Sequence, residues 1–114
     1  MDRKTLMAAV KAASKLKTVA LPVSGVTVHL KPWTIAQADA FYAESYDADG
    51  KLTGSVIDFR NAVVAATVCD DKGELILKPE DLGAFCPRDG ETLFRAASAL
   101  NTVTEDDAKA TEKN

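Results

Sequence analysis

Apolar and polar positions along the chain follow two periods, and the changes of period mark the elements. Over residues 3–17, Leu6, Met7, Val10 and Ala13 recur on one side at helical spacing, which predicts an amphipathic helix. Over 19–31 the period shortens to two. Val26, Val28 and Leu30 alternate with Thr27, His29 and Lys31 after a Ser24-Gly25 turn signal, so this stretch predicts a β-hairpin. Pro22 has no N–H for a ladder, which places the first strand at a sheet edge or makes it irregular. Helical spacing then returns. Thr34 and Gln37 have the separation of a capping box, and Ile35, Ala38, Phe41 and Tyr42 form a buried stripe on a helix reaching about Tyr46. A loop at Asp47-Ala48-Asp49-Gly50 leads to a helix capped by Ser55 and running to about Val68. Val56, Ile57, Phe59, Val63, Val64 and Val68 cover more than one of its faces, the pattern of a central core helix.

Asp70-Asp71-Lys72-Gly73 is a turn, and Leu75-Ile76-Leu77 has strand character but is too short to settle. Pro79, followed by Glu80 and Asp81, starts a short helix to about Phe85. The last helix spans about 89–101, with Asp89 as cap, Leu93, Ala96, Ala97 and Leu100 facing inward and Asn101 as its stop. Residues 102–114 hold one sizeable apolar side chain, Val103, and predict a polar flexible tail. The sum is a mainly helical α+β fold, with about four to five helices and one N-terminal hairpin in a single globular domain over 1–101.

Composition narrows the function classes. The chain has 114 residues, 46% hydrophobic and 27% charged, enough for a core without a metal or disulfide. The formal charge of −3 argues against a dedicated nucleic-acid binder. No apolar run approaches the roughly 18 residues of a membrane span. Lysines interrupt the opening MDRKTLMAAVKAASKLK, so it has no signal-peptide core. Cys69 and Cys86 form no C-x-x-C unit. They read as small buried or half-buried thiols, with a disulfide open but unneeded, in a reducing cytoplasm.

Candidate chemistry is sparse. Aligned as calcium loops, the segments ending at Gly50 and Gly73 lack the closing glutamate or the first ligand, and their Asp and Gly residues suit turns. His29 as a general base needs an aligned nucleophile, and neither cysteine sits in a nucleophile motif. No phosphate-cradling glycine motif occurs. No catalytic, cofactor or metal residue is therefore expected. Interaction surfaces are the remaining candidates. The first helix carries Arg3, Lys4, Lys11, Lys15 and Lys17 against Asp2, which suits an acidic partner, a membrane surface, or simply a solvated face. Leu6, Met7 and Val10 form its apolar stripe. The edge strand near Val19, Leu21 and Val23 is open to a neighbouring strand. Trp33, just before the cap, either packs on the first helical turn or stands out as an interface anchor.

The order of parts resembles the tail assembly chaperones of long-tailed, siphovirus-type bacteriophages. The resemblance rests on VALPVSGVTVHLKPWTIAQADAF, on TVCDDKGELILKPEDLGAF from Thr67 to Phe85, and on a last helix with ALN before a polar tail. Within the second stretch the pattern is Asp70, Gly73, Leu75, Glu80 and Asp81. The resemblance implies a non-enzymatic protein of the infected host's cytoplasm, not expected in the mature virion. It implies a homo-oligomer that coats the helical tape measure protein. It also implies recruitment of major tail protein subunits, mainly through a longer frameshifted form, with neither nucleic acid nor membrane as partner. Two alternatives stay open: a tail-completion or head–tail joining protein of the phage particle, and a small cytoplasmic regulator or enzyme unrelated to phages.

Overall fold

A computed structural model describes residues 1–102. The polar tail expected at 102–114 lies, from residue 103 on, outside the described residues. The elements run α1 (Arg3–Ala13), β1 (Lys17–Ala20), β2 (Thr27–Leu30), α2 (Ile35–Ser45), α3 (Val56–Ala65), β3 (Val68–Cys69), a 3-10 helix (Pro79–Ala84) and α4 (Pro87–Asn101). The fold is mainly helical α+β, with the hairpin near the N-terminus, as the patterning predicts. No described helix is long and apolar enough to cross a membrane.

Local chemistry sets most of the boundaries. Thr34 Oγ1 accepts from the Gln37 N–H at 3.1 Å while Gln37 Oε1 accepts from the Thr34 N–H at 2.9 Å, the reciprocal box expected there. Ser55 and Asp58 do the same at the start of α3. Gly50 and Gly73 adopt positive φ in loops that Asp47 and Asp70 close, each accepting two backbone N–H groups through Oδ1. These bonds, led by the Glu74 and Lys72 N–H groups, hold the Asp70 carboxyl below its usual pKa.

The antiparallel sheet has the order β1-β2-β3. β1 forms one edge, but it ends before Pro22, which lies in the loop instead of the strand. Val28 and Leu30 turn inward: Leu30 joins Leu21, Val64, Val68 and Leu93 in the core, and half-buried Val28 packs against them. Val19, Leu82, Phe85, Phe94 and Leu100 pack around them. β3 is a strand that the patterning does not predict. Val68 and Cys69 leave the helical pattern because they pair with Leu30 and His29, so α3 stops at Ala65 instead of about Val68. Leu75 makes only an isolated bridge to Cys69.

Three expected core positions are on the surface. Ile35 is 83% exposed, and Val56 and Ile57 are exposed too, so α3 enters the core only through its C-terminal half. α1 ends at Ala13, four residues short of expectation, because Lys17 is already paired with Leu30 in the sheet. α4 starts at Pro87 with Cys86 as N-cap, so Asp89 lies inside the first turn and is not the cap. Cys86 is exposed, not buried or half-buried, whereas Cys69 is buried; both thiols are free.

Candidate functional site

Two long-range polar clamps position the surface. The Asp89 carboxylate, itself buried, accepts the N–H groups of Val23 at 2.8 Å and Ser24 at 3.0 Å, tying the hairpin loop to the start of α4. Burial raises its pKa, but the two N–H groups, helped by Arg88, outweigh that and leave it below the usual value. At the other end of α4, Asn101 Oδ1 accepts from the Trp33 N–H at 2.8 Å. Its Nδ2 donates to Lys31 O at 3.0 Å and to Thr67 Oγ1 at 3.1 Å. The helix-stop reading of Asn101 held no hint of this, because all three partners lie far away in sequence.

These clamps decide which candidate surface residues are available. Leu21 is 4% exposed and belongs to the core, and Val19 is half-buried against it; both share the inward parity of the hairpin. Trp33 is half-buried. Its indole N–H donates to Ala66 O at 2.9 Å, and its ring lies 4.8 Å from that of Phe41. Trp33 is thus packed and does not stand out as an exposed anchor, but it packs on Phe41 and the end of α3 instead of the first turn of α2. Val23 is exposed on its loop, and the α1 stripe is open: Leu6, Met7 and Val10 are 50%, 47% and 47% exposed.

α1 is formed locally. Asp2 Oδ1 accepts from the Thr5 N–H at 2.8 Å, which also lowers the Asp2 pKa. The helix buries none of its residues. A helix with an apolar stripe and no buried side chain leaves that stripe for another molecule or for water.

Two grooves adjoin α3. The first, about 430 Å³, lies between α2, α3 and the approach to the 3-10 helix, with Phe41, Leu52, Phe59, Ala62 and Leu77 among its lining. Its charged lining residues are Glu44 and Asp58. The second, about 530 Å³, runs between α3, the 3-10 helix and α4, lined by Ile57, Val64, Leu82, Phe85 and Phe94 with Arg60 and Glu91 at hand. The Arg60 guanidinium sits 4.9 Å from the centre of the Phe94 ring.

No protein family, curated protein or solved structure matches the chain.

One juxtaposition escaped the sequence reading. β2 sets His29 directly across from Cys69, with Thr18 on its other side. The pairing is visible only once β3 exists. Burial pushes the Cys69 thiol pKa up, the Asp70 charge adds to the rise, and Lys31 offsets only part of it. A nucleophilic cysteine needs the opposite shift. Among the described residues no three His, Cys, Asp or Glu side chains converge as a metal site.

Proposed function

We propose that the protein is a non-enzymatic phage tail assembly chaperone. In this reading it self-associates, coats the tape measure protein in the host cytoplasm and helps recruit major tail protein, mainly through a frameshifted longer form. It then leaves before the virion matures. One observation carries the reading: two separate apolar faces remain uncovered, the α1 stripe and the groove beginning at Ile57. A protein that coats a long amphipathic rod needs one face for its own copies and another for the rod. Each contact can then be weak while the array binds by avidity. The raised thiol pKa of Cys69, beside the chain's one histidine, favours a binding role over a chemical one.

Size-exclusion chromatography with light scattering, alone and with the tape measure protein, tests the proposal. The expected result is a self-associating species that comigrates with the tape measure protein. A strict monomer that ignores that partner would refute it. Mass spectrometry of purified virions separates the chaperone from a tail-completion or head–tail joining subunit, which would remain in the particle at stoichiometric amounts.

A further inference from the structure

Two surface features match in charge and in kind. α1 and its cap carry Arg3, Lys4 and Lys11 against Asp2, a net +2, around the open stripe of Leu6, Met7 and Val10. The α2–α3 groove has an apolar floor, and its charged lining is acidic. The segment 35–66, which builds two of its walls, holds Asp39, Glu44, Asp47, Asp49 and Asp58 against Lys51 and Arg60, a net −3. The second groove offers no such match, because Arg60 and Glu91 both line it and their charges cancel. No α1 residue lines the acidic groove of its own chain.

We infer that α1 docks into the α2–α3 groove of a second copy of this chain. The stripe covers Phe41, Leu52 and Phe59, and the lysines meet Glu44 and Asp58 at the rim. The inference rests on the self-association in the proposed function and names its surfaces. Each copy offers both halves of the contact, so assembly either continues from copy to copy or closes by reciprocal exchange of α1 between two copies. The second groove stays free for the helical target. Covering three half-exposed apolar side chains is worth on the order of 100-fold in dissociation constant, and the charge match makes assembly weaken with salt.

The test uses full-length chains in sedimentation velocity. One variant carries Leu6→Asp and Val10→Asp, the other Glu44→Lys and Leu52→Lys, with circular dichroism confirming that each keeps its fold. Glu44→Lys alone replaces the second variant if the double substitution unfolds. Wild type is expected to assemble and each variant to be monomeric. An equimolar mixture of the two variants should stop at a heterodimer, since it contains one intact helix–groove pair. Wild-type assembly that survives the α1 substitutions, or a mixture that stays monomeric, overturns the inference. So does a monomeric wild type whose α1 instead binds vesicles of anionic lipid. Pull-down with the tape measure protein separates the two claims. A monomer that still binds it removes this inference alone, whereas α1-dependent assembly without that binding removes the proposed function alone.

Discussion

Replacing Asn101 by Ala tests whether the end of α4 holds the hairpin exit and the α3 exit together. The substitution removes three hydrogen bonds at once and leaves the Trp33 N–H and Lys31 O without the partner that the carboxamide provides. A neutral hydrogen bond is worth about 1 kcal/mol net, and more where a stranded group stays dry. The site is part-buried, so water re-solvates some of what is lost, and the expected cost is about 2–3 kcal/mol. In a domain of this size that lowers Tm by roughly 10–20 °C. It is a large share of a total stability on the order of 5–15 kcal/mol. Urea denaturation followed by circular dichroism and by Trp33 fluorescence reads the change with two probes. Asn101→Asp sharpens the test. Its carboxylate still accepts from the Trp33 N–H but turns an oxygen toward Lys31 O. At neutral pH it should cost at least as much as Ala, and acidification should recover part of the loss as a donor returns. A cost under about 0.5 kcal/mol for Asn101→Ala, or an Asp variant as stable as wild type at neutral pH, would refute the reasoning.

Leu93 is fully buried in the core, so Leu93→Ala should cost about 2–4 kcal/mol by urea denaturation, while Leu6→Asp on exposed α1 should stay within about 0.5 kcal/mol of wild type. Asp89→Asn should destabilise the protein at neutral pH. Because the folded-state pKa of Asp89 is lowered, its contribution is full above the unfolded carboxyl value of about 3.9 and is lost as pH falls through the folded value. Urea midpoints of wild type and variant should therefore converge in acid, and a gap that stays constant with pH would contradict the clamp. A maleimide should label exposed Cys86 in the native protein and buried Cys69 only after unfolding, so mass spectrometry should find a single adduct under native conditions.

The amino-acid sequence by itself determined the features made by neighbours within one turn of chain. These are the Thr34–Gln37 box, the Ser55 cap, the Asp47 and Asp70 turns, the helical start at Pro79 and the alternation that turns Val28 and Leu30 inward. In each, donor and acceptor, or apolar neighbours, lie a few residues apart, so local spacing carries the whole signal. The tertiary structure alone decided the rest. Val68 and Cys69 became a strand because β2 offered them an unpaired edge, and that pairing put His29 opposite a thiol. Leu21 left the candidate surface for the core, while Ile35, Val56 and Ile57 moved the other way. Helical spacing shows which residues share a face but not whether another element reaches it. Asp89 and Asn101 read as a cap and a stop because those are their commonest local uses. In the folded protein they bind partners 34 to 70 residues away. Only the packing of α4 against the sheet brings those groups within hydrogen-bond reach, and it leaves α1, with its apolar stripe and its lysines, outside the core.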